Sequence, residues 1–477
     1  MNTIAHLHRP GHLAATIAAC LVLAGCASLS PDSGFDAVQH AARDRLGQDV
    51  SWVRTDAERI AADQRVAELL GTPLSAEAAV QVALLNNRGL QASFDELGIA
   101  DADRVQAGLL PNPGFTFGRL RQGAGSEIDR SLTFNLSHLL TMPMARDIAG
   151  QRLEQTSGAA IISVLSLASQ VRKAYYTALA AEESVRYMLQ VQSAAEAGAE
   201  LARRQAQTGN WNKLQQAREQ GFYADAALNL ARAEQVRGEA REQLTRLLGL
   251  WGEQTRFRLP ERMPELPASA SELPDIERTA MAQRMDVQAA RLRTEQVAKS
   301  LGLTRATRFV NALELGVMRN SFSEDQTERG FEISVELPLF DWGTARVARA
   351  EAIYMQSVNR AAQTAVDARS EVRGAYANYR IRHDIARHYR DEIVPLKKRI
   401  SDENLLRYNG MLIGVFELLA DARSQITSVN GYIEALRDFW LAKADLDSAQ
   451  LGPVAGSGLS QAMSTPSAAP DGAAGSH

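Results

Sequence analysis

The sequence predicts a mainly α-helical protein with a small β part, built from two copies of a unit that combines a helical hairpin with a β-hairpin. Three observations lead to this fold class. Val171–Tyr175 (VRKAY) recurs as Val372–Tyr376 (VRGAY), and Gly209 recurs as Gly410, both roughly 200 residues later. No proline interrupts the helix-forming stretch from Met144 to Gln207, which would be roughly 96 Å long as one helix. Short segments of alternating apolar and polar residues precede each long helical stretch.

The composition excludes several classes of protein. The chain has 477 residues, of which 45% are apolar, and its 52 basic and 56 acidic side chains give a net charge of −4. A nucleic-acid-binding protein normally carries a large basic excess, and a disordered chain is poorer in apolar residues. The sequence contains no nucleophile-elbow, phosphate-loop, dinucleotide-binding or zinc-helix motif, and it therefore predicts no enzyme, no cofactor and no metal site.

The N-terminus has the pattern of a secretory signal peptide, predicted over residues 1–25. A short basic region precedes an apolar stretch, as export signals require. Leu23–Cys26 (LAGC) resembles the processing box of bacterial lipoproteins, which implies that Cys26 is lipidated and that residues 26–73 form a lipidated N-terminal segment. An ordinary signal peptide with a coincidental cysteine is the alternative. Because Cys20 is the other cysteine, the sequence excludes a disulfide framework.

The duplication divides the rest of the chain into predicted domains. The first structural repeat covers residues 74–249 and the second covers residues 273–452, each with a helix, a β-hairpin and long coiled-coil helices. A proline-rich bridge at 250–272 separates the two repeats. The tail at 453–477 is rich in Gly, Ala, Ser and Pro, and a segment of this composition is expected to be disordered.

Four short segments alternate with period two, which predicts strands. Their apolar positions are Phe115, Phe117, Leu132, Phe134, Leu136, Leu313, Leu315, Val317, Phe331, Ile333, Val335 and Leu337. Between the paired strands, Arg119–Arg130 and Arg319–Gly330 are polar and charged, and we expect both to be loops in water. Half-buried strands of a soluble sandwich are the alternative explanation for segments of this kind.

The helical segments have the heptad spacing of coiled coils. From Val415 to Trp440, apolar residues step alternately by four and three, and Val372 to Ile400 shows the same period. In the first repeat, the seam from Val171 to Ala195 contains many small residues, which allow helices to approach closely. These patterns predict long helical hairpins that reverse at turns containing glycine.

A membrane span, if the protein has one, would have to be made of strands. No stretch beyond the signal peptide approaches the roughly 18 consecutive apolar residues that a membrane-spanning helix requires. Four strands cannot close into a barrel, because the smallest single-chain barrels have about eight. The protomer must therefore oligomerise if its strands span a membrane.

The order of elements resembles the TolC-like outer-membrane efflux family. The resemblance is carried by Leu110–Pro113 (LPNP) before the first hairpin, by Leu337–Gly343 (LPLFDWG) after the second, and by Tyr408–Gly410 followed by Phe416–Leu419 (FELL). The lipoprotein start resembles the branch of that family that is paired with resistance-nodulation-division pumps. The resemblance implies a homotrimer with a trimeric α-helical tunnel and a shared twelve-stranded outer-membrane β-barrel. It also implies a periplasmic adaptor protein, an inner-membrane pump and outer membrane lipid as partners.

Alternation within such a barrel assigns the strand side chains to two environments. The apolar positions are expected to face lipid, and Glu314, Glu332 and Glu336 are lumen-lining candidates. Rings of carboxylates in a pore favour cations.

The two glycine-containing turns are predicted to be the periplasmic tips of the tunnel. Gly209, Asn210, Gly410 and Gly414 are the candidates for tip and adaptor docking, because glycine can adopt the left-handed conformation that ends a helix. Asn212 with Gln215 has the spacing of a helix-capping pair, which would start the returning helix.

Glu417 and Asp421 share one helical face near the second tip and are the gate candidates. A solvated flank of the coiled coil is an equally good explanation for these two residues.

Two functional hypotheses follow. In the first, the protein is a passive duct for exported toxic compounds, anchored by lipid in the bacterial outer membrane and extending into the periplasm. In the alternative, it is a non-channel periplasmic coiled-coil scaffold lipoprotein. The sequence leaves the cargo open between drugs, solvents and heavy metals such as copper, and it predicts no nucleic-acid partner.

Overall fold

The computed structural model describes residues 30–122, 125–307, 313–322, 327–335 and 340–453. The elements are, in order, α1 (Phe35–Leu46), α2 (Asp56–Leu70), α3 (Ala76–Asn86), α4 (Arg88–Ala107), β1 (Gly114–Gln122), β2 (Gly125–Asn135), α5 (Leu136–Gln207), α6 (Lys213–Leu248), a 3-10 turn (Gly252–Arg256), α7 (Ile276–Gln283), α8 (Met285–Ala306), β3 (Leu313–Phe322), β4 (Thr327–Val335), α9 (Thr344–His388), a π-helical turn (Tyr389–Ile393), α10 (Val394–Asn409) and α11 (Val415–Leu451). The predictions for Cys26, Glu336, Leu337 and the tail beyond residue 453 lie outside the described residues.

Most of the described residues are helical, and β1 to β4 form one antiparallel sheet. This confirms the predicted fold class of a mainly α protein with a small β part. The order of a helix, a β-hairpin and long helices that reverse at a turn occurs twice, first from α4 to α6 and then from α8 to α11. The boundaries assigned to the two repeats stay a prediction.

The chain divides into two compact units. Among the described residues, the sheet unit contains residues 30–36 together with those of Asp95–Ser157 and Arg291–Asn359. The helical unit contains Ala37–Phe94, Gly158–Ala290 and residues 360–453. All four strands belong to the sheet unit, and both turns that join the long helices belong to the helical unit.

The four strands pair in chain order, each antiparallel to the next. Phe115 lies opposite Leu132, Leu132 opposite Val317, and Val317 opposite Phe331. Side chains at opposed positions of neighbouring strands point to the same side, so these four residues share one face of the sheet. The central pair, β2 with β3, joins the two halves of the chain.

The two predicted polar loops, Arg119–Arg130 and Arg319–Gly330, are wrong because strands occupy most of both segments. In the first hairpin, β1 continues to Gln122 and β2 begins at Gly125, and the second hairpin extends in the same way. Strand formation depends on pairing with neighbouring strands more than on the apolar content of the segment. The charged residues of these segments therefore belong to the faces of the sheet.

The predicted strand position of Leu136 is also wrong. β2 ends at Asn135 and α5 begins at Leu136. The Asn135 side-chain oxygen accepts a hydrogen bond from the backbone N–H of His138 at 2.8 Å, and the Ser137 hydroxyl donates to the same oxygen at 2.7 Å. An asparagine in this position satisfies a free N–H of the first helical turn, which ends the strand and starts the helix.

Aromatic side chains pack between the long helices of the helical unit. The ring of Tyr176 in α5 stacks on Trp440 in α11 with the ring centroids 5.2 Å apart. Phe439 contacts Tyr379 of α9 at a centroid distance of 5.5 Å. The Trp440 indole N–H donates a hydrogen bond to the backbone carbonyl of Pro264 at 3.2 Å. The proline-rich bridge is thereby held against the helical core.

The predicted coiled-coil seam from Val372 to Ile400 is interrupted. A π-helical turn covers Tyr389–Ile393, directly before Pro395 near the start of α10. Proline has no N–H to donate, so a regular helix cannot complete its hydrogen bonds at this point. The Tyr389 ring occupies the space beside Gly431 of α11, where an added Cβ would lie 2.9 Å from a ring carbon.

A fully buried arginine joins helices of the helical unit. The Arg284 guanidinium, between α7 and α8, donates hydrogen bonds to Asp286 at 2.6 and 3.0 Å, to Glu371 of α9 at 2.8 Å, and to the carbonyl of Ala449 in α11 at 2.9 Å. Burial acts to lower the pKa of Arg284, but the hydrogen bonds and charges of Asp286 and Glu371 outweigh burial and raise it.

Candidate functional site

The sheet separates its charges between its two faces. Among the described strand residues, every carboxylate lies on one face, here called the acidic face: Glu127, Asp129, Glu314, Glu328 and Glu332. Glu314 and Glu332 are candidates from the sequence, and the register brings them together on this face. Sequence reasoning missed the other three because it placed their segments in loops. Their alternation with arginines in the sequence was the signal that could have found them.

The opposite face, here called the apolar face, carries large apolar side chains near the strand ends that adjoin helices in the chain: Phe115, Phe117, Leu132, Phe134, Leu313, Leu315, Val317, Phe331, Ile333 and Val335. Phe115 is 67% exposed and Phe331 is 75% exposed. A contiguous exposed patch of this kind is rare on a soluble monomer and marks a surface that contacts lipid or another protein.

The turn between α5 and α6, here called the first tip, covers Thr208–Asn212. Gly209 has a φ of 79°, in the left-handed region that favours glycine. The Asn210 side-chain amide donates back to the last turn of α5 at 2.9 Å. Asn212 accepts a hydrogen bond from the Gln215 N–H at 2.9 Å, and the Gln215 side chain accepts one from the Asn212 N–H at 2.8 Å. The turn chemistry predicted for Gly209 and for the capping pair is confirmed.

The turn between α10 and α11, here called the second tip, covers residues 410–414. The left-handed conformation predicted for Gly410 is wrong, because its φ is −79° and the left-handed residue is Met411, with a φ of 60°. Gly410 closes α10 through its N–H, which donates to the Leu406 carbonyl at 3.0 Å, and the chain reverses one residue later. Gly414 precedes α11 in extended backbone and supplies no side-chain cap.

The two tips differ in the chemistry that they expose. The second tip and the end of α10 present a patch formed by Leu406, Met411 and Leu412, and Met411 is 92% exposed. The first tip consists of Thr, Gly, Asn and Trp, and its asparagines are occupied by hydrogen bonds within the turn. Of the two tips, the second therefore exposes an apolar patch.

The structure does not bring the two gate candidates together. Glu417 is exposed in the first turn of α11, with no side-chain partner among the described residues. Asp421 accepts a hydrogen bond from the side-chain amide of Asn404 in α10. Asp421 therefore links the two helices of one hairpin, and Glu417 is independent of it.

A buried charge pair that sequence reasoning missed connects α6 with α11. Glu219 of α6 is 2% exposed and lies 3.6 Å from the Arg423 guanidinium of α11, which also stacks over the ring of Phe222 at 4.2 Å. Among the described residues, Oε1 of Glu219 and the Nε and Nη2 atoms of Arg423 have no hydrogen-bond partner. Burial raises the pKa of Glu219, and the charge of Arg423 opposes that rise. No sequence pattern indicates that residues 219 and 423, which are far apart along the chain, are in contact.

The Glu219–Arg423 pair lies beside a cavity of about 570 Å³ between α5, α6 and α11, since Arg423 and Phe222 line it. Charged side chains of both signs line the cavity further along, among them Asp225, Arg232, Glu434 and Arg437. A loosely paired arginine beside open space can change partners without disrupting a packed core.

The described ranges contain neither a membrane-spanning helix nor a metal-binding cluster. In these ranges, no helix has the combined length and apolarity needed to cross a membrane. Nor does any cluster of three or more His, Cys, Asp or Glu side chains in the same part of the chain have an arrangement that could hold a metal ion.

The chain matches known proteins in sequence. Residues 277–397 match the model of the family described as outer membrane efflux protein. The cobalt-zinc-cadmium resistance protein CzcC of Cupriavidus metallidurans is 25% identical over 279 residues, which are 56% of this chain and 64% of that relative. Over these regions the chain is similar to the outer membrane efflux family. This is a family of transport proteins rather than of enzymes.

Solved structures of outer-membrane channels have the same fold as this chain. CusC matches with a TM-score of 0.64 and 19% identity, over 79% of this chain and 92% of CusC. The CmeC outer membrane channel of Campylobacter jejuni matches with a TM-score of 0.66 and 16% identity, over 85% of this chain and 91% of CmeC. At these identities the likeness establishes a common fold, and the TolC-like fold expected from the sequence is confirmed.

Proposed function

We propose that this protein is the outer-membrane channel-tunnel of a tripartite efflux system. It acts as a passive duct that receives toxic compounds from an inner-membrane pump and a periplasmic adaptor and releases them outside the cell. The observation that carries the proposal is the four-stranded sheet with an apolar face and an acidic face. Such a sheet separates lipid from an aqueous lumen.

The dimensions of the strands support a membrane-spanning role. The four strands have 9, 11, 10 and 9 residues, and a tilted strand needs about 9 to 11 residues to cross a bilayer. Within the described sheet, β1 and β4 are edge strands, whose unpaired backbone groups cannot be exposed to lipid. A homotrimer that pairs β4 of one protomer with β1 of the next supplies a closed barrel of twelve strands.

The long helices and their tips support a periplasmic tunnel that meets an adaptor. Small residues are buried along α5, including Ala174, Ala178 and Ala181, and they allow close packing of tunnel helices. We assign adaptor docking chiefly to the exposed patch of Leu406, Met411 and Leu412 at the second tip, with Gly209 and Asn210 at the first tip forming the polar part of the rim. The inner-membrane partner is a resistance-nodulation-division pump.

We assign the gate to the Glu219–Arg423 pair in place of Glu417 and Asp421. The pair joins the two helical hairpins of one protomer, whereas Asp421 binds within a single hairpin. Arg423→Gln should loosen α11 from α6 and increase the leak current of the closed channel, and Arg387→Gln, which removes an exposed surface ion pair with Asp384, is the matched control. A leak equal to that of the wild type in Arg423→Gln would refute the gate assignment.

The cargo that we propose is divalent metal cations. The relative CzcC is named for resistance to cobalt, zinc and cadmium, and the acidic face would line the lumen with carboxylates that attract cations. A strain without this gene should become sensitive to these metals and regain resistance with the wild-type gene. Sensitivity to organic drugs with unchanged metal resistance would contradict this cargo.

Membrane anchoring through Cys26 completes the proposal. Mass spectrometry of the purified N-terminus should find a mature chain that begins at an acylated Cys26. An unmodified Met1 or cleavage at another position would contradict the lipoprotein assignment.

The channel itself is tested by purifying the full-length protein from outer membranes. A channel should form heat-modifiable trimers and give discrete conductance steps in planar bilayers. The alternative, a periplasmic scaffold lipoprotein, predicts coiled-coil assemblies without conductance, so trimers that never conduct would favour the scaffold.

A further inference from the structure

The apolar face also carries every arginine of the described strands. These residues are called here the arginine row: Arg119, Arg121, Arg130, Arg319 and Arg329. Arg130 of β2 lies directly opposite Arg319 of β3, and Arg319 lies directly opposite Arg329 of β4. Neighbouring strands are about 4.8 Å apart, so these three arginine side chains leave the same face of the sheet at adjacent positions. Arg119 and Arg121 extend the row along β1.

On β3 and β4 the arginine row lies between the apolar residues of the face and the hairpin turn, whereas on β2 Ile128 lies between Arg130 and the turn. On β3, Val317 is the last apolar residue of the face, and Arg319 follows it by two positions, roughly 7 Å along the strand. β4 has the same arrangement, because Arg329 lies nearer the hairpin turn than the apolar residue Phe331. The face therefore changes from apolar to cationic at the same level on both strands, as a surface does where a lipid core gives way to headgroups.

No acidic side chain of the described residues forms an ion pair with the arginine row. The strand carboxylates project from the opposite face, and the sheet backbone separates them from the arginines. Like charges at directly opposed positions of neighbouring strands repel each other, so the pairs Arg130–Arg319 and Arg319–Arg329 are unfavourable by themselves. An anion from outside the chain would remove this repulsion.

We propose that the arginine row binds the phosphate groups of lipid headgroups in the outer leaflet of the outer membrane. A guanidinium group can donate two parallel hydrogen bonds to a phosphate, and the apolar stem of arginine packs on the neighbouring apolar residues. The apolar residues next to the row contact the acyl chains of the same lipids. This inference rests on the proposed function, because it requires the hairpin turns to face the cell exterior.

The test uses the full-length trimer in phosphatidylethanolamine nanodiscs that contain labelled lipid A, either with both phosphates or after their enzymatic removal. Native mass spectrometry and fluorescence titration measure the binding of each lipid. The wild type should bind the phosphorylated lipid at least about tenfold more tightly than the dephosphorylated lipid. The preference should disappear in the triple variant Arg130→Gln, Arg319→Gln and Arg329→Gln.

Two further variants separate lost binding from lost structure. The triple lysine variant at the same positions retains the charge and should retain most of the preference, although lysine makes no bidentate contact. The matched control replaces three exposed arginines of the helices, Arg232, Arg293 and Arg380, by Gln and should keep the full preference.

Equal binding of both lipids by the wild type, or an unchanged preference in the triple glutamine variant, would overturn the proposal. Competition by millimolar inorganic phosphate would also overturn it, since the site would then bind a free anion rather than a lipid. Conductance is recorded in the same lipids. A triple glutamine variant that conducts but has lost the lipid preference supports the arginine row, whereas a wild type that discriminates the lipids but never conducts contradicts only the proposed channel.

Discussion

Replacing Arg284 by Met should destabilise the helical unit more than any surface change of the same kind. The substitution removes the hydrogen bonds of the guanidinium to Asp286, Glu371 and the carbonyl of Ala449. It also leaves two carboxylates without their cation, with side chains that are only 5% and 17% exposed. Methionine fills much of the space of the arginine stem, so unpaired charge rather than a cavity causes the loss.

Breaking a buried ion pair by removing one partner costs about 3 to 5 kcal/mol. Glu371 retains some contact with water, and the expected loss for Arg284→Met is therefore near the lower end, about 3 kcal/mol. Adding Asp286→Asn and Glu371→Gln to Arg284→Met removes the unpaired charges and should recover part of this loss. Arg284→Lys should lie between wild type and Arg284→Met, because lysine keeps the charge but cannot form the forked contact with Asp286.

The assay is thermal unfolding of the purified trimer in detergent, followed by circular dichroism at a constant scan rate because unfolding of such assemblies is commonly irreversible. Arg278→Met is the matched control, since Arg278 pairs with Asp275 at 2.8 Å on the surface, where both side chains are mostly exposed. Arg284→Met should have a melting temperature well below that of the wild type, and Arg278→Met should have a melting temperature close to that of the wild type. Equal melting temperatures for the two variants would refute the argument from buried charge.

Three other predictions concern the tips, the buried pair and the lumen. Met411→Gly should stabilise the second tip by about 1 kcal/mol, because glycine adopts a positive φ without the strain of a side chain. Hydrogen exchange of the tip amides should then be slower than in the wild type. Faster exchange would contradict the assignment of strain to Met411. Burial raises the pKa of Glu219, so its contribution to stability is complete below the ordinary value of 4.5 and falls as the pH rises through the raised pKa. The melting temperature of Glu219→Gln relative to wild type should therefore increase between about pH 4 and about pH 8, and a constant difference would count against a buried carboxylate. Glu314→Gln with Glu332→Gln should weaken cation selectivity in planar bilayers, while anion selectivity of the wild type would refute the lumenal assignment of the acidic face.

Periodicity was sufficient to predict the fold class, because it reflects which side of an element meets an apolar environment. The heptad pattern from Val415 to Trp440 lies within α11, and the alternation at Leu132, Phe134, Ile333 and Val335 lies within β2 and β4. Local turn chemistry was equally readable where a short segment satisfies its own hydrogen bonds, as at the first tip. The family resemblance required only the order of these elements and a few short motifs.

Strand ends and the second tip could not be predicted in the same way. The segments after Arg119 and Arg319 contain charges rather than apolar alternation, and they form strands because a neighbouring backbone pairs with them. At the second tip, a local rule assigned the left-handed conformation to Gly410. The N–H of Gly410 instead donates a hydrogen bond to the Leu406 carbonyl, and Met411 adopts the left-handed conformation.

The sequence by itself determined the mainly helical duplicated architecture, the two apolar alternating hairpins and the capped first tip, because each depends on residues close together in the chain. Only the tertiary structure decided that the strand charges separate by sign between two faces, since this depends on the register between β2 and β3. It also decided that Glu219 meets Arg423 and that Arg284 meets Glu371. Burial and electrostatic pairing depend on distance in space, and distance along the chain does not constrain them.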